Sequence, residues 1–212
     1  MYLAIDLGST QFKAAVFNKQ LKILGNSAYT LKYKYTVNGG VELDPDNLFY
    51  ALEFINKEAI KSAGISPSAI KAIAVDSQAQ TFAVFDKKGR AVSPFFSWLD
   101  ERAKEITTRM ASYPPWTQFS HHSSFGYLLA GLQVCILKYL LSSNSIKPEK
   151  NIYFLLLPAW FNMLATGKPV VDNNIAAMSG LFSLIRNNWW DEALSDLGIS
   201  CLLYTSPSPR DS

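Results

Sequence analysis

Three carboxylates stand where an apolar run gives way to a turn: Asp6 after Tyr2-Leu-Ala-Ile, Asp76 after Ile70-Lys-Ala-Ile-Ala-Val, and Asp172 after Val170-Val171. A carboxylate at such a junction offers hard oxygens to magnesium or accepts a proton from an attacking hydroxyl. Behind Asp6 comes Gly8-Ser9-Thr10. Glycine lets the backbone approach a ligand, and the N–H groups of the turn, with the two hydroxyls, can cradle phosphate oxygens. Phosphoryl transfer needs a cradled, metal-bound phosphate and a group that takes the proton, and Asp6 and Asp172 are candidates for those roles. The competing reading is that each Asp caps its own turn, the commoner use of a strand-end Asp.

A second group of residues suits a polyhydroxylated ligand. Gln78, Gln80 and Thr81 form a polar patch between apolar runs, and Trp98 lies just ahead of Asp100 and Arg102. Amides and a forked guanidinium beside an indole supply donors, acceptors and a flat apolar face. Spacing alone equally allows a core Trp98, with Asp100 near the cap of a helix over Glu101 to Ala111 and Arg102 paired at the surface. His121-His122, in a serine-rich loop with no third ligand nearby, are expected at the surface. Cys135, inside an apolar helix, is expected to be inert, and Trp189-Trp190 to pack a helix on the core with one indole partly exposed.

These groups need elements to hold them. Tyr2 to Asp6 and Phe12 to Phe17 read as antiparallel strands joined by the Gly8 turn, and Lys22 to Tyr35 as a third strand, which makes a three-strand meander. Asp44-Pro45-Asp46 starts a helix whose Leu48, Ala51, Leu52, Ile55, Ala59 and Ile60 recur at helical spacing until Gly64. Ile70 to Asp76 is expected as a buried strand added parallel to the meander, and Gln80 to Ser93 as a hairpin turning through Lys87-Lys88-Gly89. The stretch from Pro114 to Ser124 reads as loop. Tyr127 to Leu141 follows as a buried helix, Ile152 to Leu155 as a strand, and Ala159 to Ala165 as a helix stopped by Gly167. Val170-Val171 ends a strand before a polar turn, and Trp189 to Leu197 forms a last helix. The order of elements predicts a layered α/β fold with a mixed sheet and flanking helices.

The 212 residues carry a net charge of +3 and are 49% hydrophobic, ample for a core. No basic block points to nucleic acid or an anionic membrane surface, and the longest apolar stretches are too broken to span a bilayer. With two cysteines at no metal-ligand spacing and no leader-like segment before the first strand, a reducing, cytoplasmic setting is expected. The run from Cys201 to Asp211 differs from the rest in composition and resembles the translation of one frame of a transposase-type sequencing-library adapter. The expected organisation is therefore one domain over 1–200 and a non-native tail over 201–212, the natural reading frame continuing past Ser200.

Four segments in order, Met1 to Lys13, Ser77-Gln78-Ala-Gln80-Thr81, Pro94-Phe-Phe-Ser-Trp98-Leu-Asp100-Glu-Arg102, and Asp172-Asn-Asn-Ile-Ala-Ala-Met-Ser-Gly-Leu-Phe182, closely resemble the N-terminal domain of the FGGY carbohydrate kinases, most of all its xylulokinases. That resemblance implies an actin-like, ribonuclease H-like ATPase fold of two domains, with ATP and sugar bound in the cleft between them. It implies that Asp6 helps hold Mg2+, that Gly8, Ser9, Thr10 and Lys13 face the transferred phosphate, and that Gln78, Gln80, Trp98, Asp100 and Arg102 line or support the sugar pocket. Asp172 matches the family's catalytic base. The implied reaction moves the terminal phosphoryl group of ATP to a sugar hydroxyl, a ketopentose such as xylulose first. Ala79-Gln80 stands where xylulokinases commonly carry Met-His, Thr81 follows the glycerol kinase pattern, and Asn173-Asn174-Ile175 departs from the usual Tyr-Ser/Thr-Asn after the base. Glycerol, gluconate and hexuloses therefore stand as alternative acceptors, and a non-catalytic sugar sensor as an alternative use of the fold. The family's C-terminal domain, with the adenosine pocket, is an implied partner, and a homodimer is possible; this chain alone is expected to be inactive.

Overall fold

The computed structural model describes residues 1–86, 88–147, 152–199 and 206–207. The adapter-like tail with Cys201, apart from Ser206–Pro207, and Lys87 of the hairpin turn lie outside the described residues. Two compact units are present, one of residues 1–33 and 43–78, the other of residues 34–42 and 79–212.

In the first unit β1 (Tyr2–Leu7), β2 (Gln11–Phe17) and β3 (Ile23–Thr30) form the expected antiparallel meander. The chain then supplies two short strands to another sheet, β4 (Tyr33–Tyr35) and β5 (Val41–Leu43), before α1 (Pro45–Ser62) and β6 (Ala72–Ser77). Asp44 caps α1 by accepting from the Asn47 N–H at 2.8 Å, and Pro45 takes the first helical position, where its missing N–H costs nothing. The helix lies over β2 and β3 and buries Leu48, Ala51, Ile55 and Ala59 on that side of the sheet. β6 adds parallel to β1, giving the order β3-β2-β1-β6. This register sets Lys13 and Asp76 on either side of Asp6.

In the second unit the sheet order is β4-β5-β8-β7-β9, built with β7 (Phe82–Asp86), β8 (Phe95–Phe96) and β9 (Ile152–Leu156). Between β8 and β9 come α2 (Lys104–Met110), a 3-10 turn at Trp116–Gln118, α3 (Phe119–His122) and α4 (Gln133–Ser142). After β9 follow α5 (Leu157–Thr166), β10 (Val170–Val171), α6 (Asn173–Met178), the hairpin of β11 (Phe182–Ser183) and β12 (Asn188–Trp189), and α7 (Asp191–Leu197); β13 (Ser206–Pro207) pairs parallel with β10. Phe82, Phe154, Trp116, Trp190, Leu137 and Leu194 centre its core.

Several expectations are corrected. The third strand stops at Thr30; the Leu31 N–H bond to the Thr10 carbonyl at 3.0 Å continues its pairing with β2 by one rung, and the chain then leaves for the other sheet. β6 runs as expected but is exposed from Ala72 to Asp76: it is an edge strand, and α1 covers β2 and β3 instead. The helix after Asp100 begins only at Lys104, capped by Ala103, since the Asp100 carboxylate is committed elsewhere. Pro114 to Ser124 is not open loop; Trp116, Phe119 and His122 turn inward from short helical turns to fill the core. The helix read over Tyr127 to Leu141 begins at Gln133, for Gly131 packs so tightly on the Trp98 carbonyl that no side chain fits there. The turn expected after Val171 is instead the start of α6, with Asp172 as its cap, and the last helix begins at Asp191, after Trp189 has paired in β12.

Candidate functional site

The phosphate-type turn falls in the first unit, between β1 and β2. Asp6 Oδ2 lies 3.6 Å from Lys13 Nζ, and both side chains are about half exposed, so the pair is a loose, solvated one that an incoming anion or cation can enter. The reason for Gly8 is steric: a Cβ there would sit 2.8 Å from the Gln11 carbonyl and 3.3 Å from Asp6 Oδ1. Among the described residues the N–H groups of Gly8, Ser9 and Thr10 donate to no carbonyl or side chain. Free N–H groups, two hydroxyls, a lysine and a solvated carboxylate fit a nucleotide phosphate with its Mg2+. Gln78, placed by sequence at the sugar, donates its Nε2 to the Gly8 carbonyl at 3.2 Å. Asp6, Lys13 and Asp76 rim an open trough of about 550 Å³ on the sheet face away from α1, floored by Ala4, Ala15 and Ala74.

The remaining candidates lie in the second unit. Trp98 is 46% exposed on a turn, and is not a core residue. The turn around it is held tightly: Ser97 N–H donates to the Val41 carbonyl at 2.9 Å, and Asp100 N–H returns to the Ser97 carbonyl at 3.0 Å. Asp100 is fully buried and accepts from Val41 N–H at 2.8 Å, Arg102 N–H at 3.0 Å and Arg102 Nε at 2.9 Å. Arg102 reaches on to Glu42 at 2.7 Å and lies over the Phe96 ring, 5.1 Å from its centroid. Burial opposes the guanidinium charge, but the bonds to Asp100 and Glu42 outweigh it and hold the Arg102 pKa above its ordinary value. Asp100, fixed by Arg102 and by the Val41 N–H, thus holds the far end of the Trp98 turn through its N–H bond to the Ser97 carbonyl. Glu42 was missed by sequence reasoning, and no local signal could have found it, since it lies 60 positions from its partner.

Gln80 is nearly buried in a left-handed conformation with φ 67°; it donates to the Met178 carbonyl and accepts from the Gln133 N–H at 3.1 Å. It therefore ties the end of α6 to the start of α4. Asp172 opens α6, its Oδ1 accepting from the Ile175 N–H at 3.0 Å while the residue stays exposed. A carboxylate held by one oxygen at a helix start keeps the other for a ligand hydroxyl.

His122 is a correction: it is buried, not at the surface, stacked on Trp190 at 4.2 Å and bonded through Nδ1 to Ser183 Oγ at 2.7 Å. Cys135 is buried as expected, and burial pushes its thiol up to about 12, so little thiolate exists at neutral pH. Among the described residues no cluster of three or more His, Cys, Asp or Glu could hold a metal, and no helix is long and apolar enough to cross a membrane.

Residues 1–204 match the family described as the FGGY family of carbohydrate kinases, N-terminal domain. A glycerol kinase from Thermococcus onnurineus is 27% identical over 201 residues, covering 93% of this chain and 40% of that protein. Glycerol kinase 5 of Bos taurus is 36% identical over 105 residues, 49% of this chain and 20% of its own. Among solved structures, ligand-bound xylulose kinase from Lactobacillus acidophilus superposes with a TM-score of 0.85 at 20% identity, covering 98% of this chain and 42% of that one. Plasmodium falciparum glycerol kinase with ADP gives 0.86 at 19%, covering 97% and 42%. Identities this low speak to the fold alone, which is the actin-like α/β fold. The chain spans about two fifths of the length of the glycerol kinase and the two solved kinases.

Proposed function

The chain belongs to the FGGY family of carbohydrate kinases, and from that premise we propose that it forms the acceptor-binding half of an enzyme that moves the terminal phosphoryl group of ATP to a polyol or sugar hydroxyl. The observation that carries this reading is the exposed Asp172 at the start of α6, one carboxylate oxygen engaged and the other available, in a chain matched from residue 1 to 204. In its role as base, Asp172 takes the proton from the attacking hydroxyl as the new O–P bond forms and the bond from the transferred phosphorus to the bridging oxygen breaks, ADP leaving with that electron pair. Lys13, Thr10 and the N–H groups of the Gly8 turn would bind the transferred phosphate, and Asp6 would hold a Mg2+ ion, which when bound would supply charge neutralisation on the phosphate oxygens. Trp98 gives the acceptor its flat apolar face, on a turn supported by Asp100 and Arg102, with Gln80 tying down the two helices nearby in sequence to these groups.

For the acceptor we place glycerol ahead of the ketopentose xylulose. Glycerol kinases match 93% of the chain, and Thr81 follows their pattern. Gluconate and hexuloses stand third. The adenosine pocket belongs to a second domain, as the relatives' greater length supports, so this chain by itself is expected to bind acceptor without turnover. The test is transfer of labelled phosphate from ATP to glycerol, xylulose and gluconate by the full-length enzyme, with Asp172→Asn alongside. The variant should lose roughly 10²- to 10⁴-fold in kcat, the usual worth of a general base. An enzyme that phosphorylates none of these acceptors, or one in which Asp172→Asn keeps its rate, would overturn the proposal and favour a sensor built on the same fold.

A further inference from the structure

Four consecutive carbonyls in the turn after β1 each accept a hydrogen bond from the body of their own unit: Leu7 from Gln78 N–H at 3.0 Å, Gly8 from Gln78 Nε2 at 3.2 Å, Ser9 from the Tyr33 hydroxyl at 2.5 Å, and Thr10 from Leu31 N–H at 3.0 Å. Across a trans peptide the carbonyl and the following N–H point in opposite directions. Fixing the carbonyls of Leu7, Gly8 and Ser9 inward therefore turns the N–H groups of Gly8, Ser9 and Thr10 outward, where none meets an acceptor among the described residues. Outward N–H groups in succession make a concavity of positive partial charge that receives an anion. Two of the four donors, from Gln78 and Leu31, are main-chain groups that the sheet delivers. The other two are side chains, reaching the turn from 24 and 70 positions away.

We propose that Tyr33 and Gln78 are positioning residues for the phosphate turn, holding its carbonyls inward so that its N–H groups face the transferred phosphate. Gln78 thereby leaves the sugar pocket to which its motif assigned it. This inference rests on the reading of Gly8-Ser9-Thr10 as a phosphate site.

Titration of the isotope-labelled chain with inorganic phosphate, followed by NMR, tests it. In the wild type the amide signals of Gly8, Ser9 and Thr10 should move on titration. Tyr33→Phe removes only the hydroxyl; it should shift the Ser9 carbonyl carbon signal and weaken phosphate about five-fold, the factor one neutral hydrogen bond is worth. Gln78→Glu can no longer donate to Gly8 and should weaken phosphate at least as much. Neither variant should change the affinity for glycerol, which a sugar-lining Gln78 would alter. If both carbonyl signals move while phosphate binds as before, or if Gln78→Glu changes glycerol binding alone, the positioning role is wrong. If phosphate moves none of the three amides in the wild type, the phosphate reading of the turn fails first, and the inference with it.

Discussion

Replacing Arg102 by methionine keeps part of the stem that packs on Phe96 but removes the guanidinium from between two carboxylates. The side chain is 8% exposed, and Asp100, the more deeply buried of its two partners, is 0% exposed. After the change Asp100 keeps only the N–H groups of Val41 and residue 102, at 2.8 and 3.0 Å, while Glu42, 14% exposed, can turn toward water. Breaking a buried ion pair from one side costs about 3–5 kcal/mol, because the remaining charge has lost its compensation. The rehydration available to Glu42 places this case near the low end, ~3 kcal/mol. With a urea slope of about 2 kcal/mol per molar, the midpoint should fall by roughly 1.5 M. The assay is urea unfolding followed by tryptophan emission and far-ultraviolet dichroism, whose coincidence licenses the free energy. Asp100→Asn combined with Arg102→Met should be more stable than the sum of the single changes, by at least ~1 kcal/mol. A midpoint drop below ~0.5 M, or strictly additive single changes, would refute the claim that the cluster is a coupled, desolvated clamp.

His122 should make the protein acid-sensitive. Burial first, then the charges of Arg186 and His121, hold its pKa below the ordinary value against the opposing pull of Glu192. The unfolded chain therefore takes up the proton first, so this stability is full above about pH 6.5 and is lost as pH falls from there through the depressed folded value. Urea midpoints measured from pH 8 to pH 5 should decline, and His122→Phe, which keeps a ring against Trp190, should flatten the decline; an unchanged slope would exclude His122 as its source. The strand β6 leaves Ile73 54% and Val75 38% exposed beside a backbone edge that pairs with no strand among the described residues, a surface prone to pairing with another chain. Sedimentation of this chain should show association rising with concentration, and Ile73→Lys should suppress it with less than about 1 kcal/mol of lost stability, as for most surface changes; association that persists unaltered would place the contact elsewhere.

What sequence reasoning could follow were features that close within a few residues. The Gly8 turn between two alternating runs, Asp44-Pro45 at the start of α1 and Gly167 at the end of α5 are each visible locally, because caps, turn dihedrals and periodicity depend on neighbours in the chain. Even the parallel placement of β6 followed from the short route through α1, though its exposure did not. The element at Asp172 was legible as a carboxylate at a strand end, yet its use as the cap of α6 was not, since Asn173-Asn174 reads equally well as turn.

The residue types therefore decided by themselves which chemistry the chain can carry: a hard carboxylate beside a phosphate-sized turn, a second carboxylate far along, and amides with an indole between. Tertiary structure alone decided the use of each group. It turned the Gln78 amide onto a backbone carbonyl, buried Asp100 against the Val41 N–H and Arg102 against Glu42, each about 60 positions away, and stacked His122 on Trp190. The reason is desolvation: once a polar group is buried it must bond whatever packing brings within reach, and packing partners are chosen by the fold as a whole, not by neighbours in the chain.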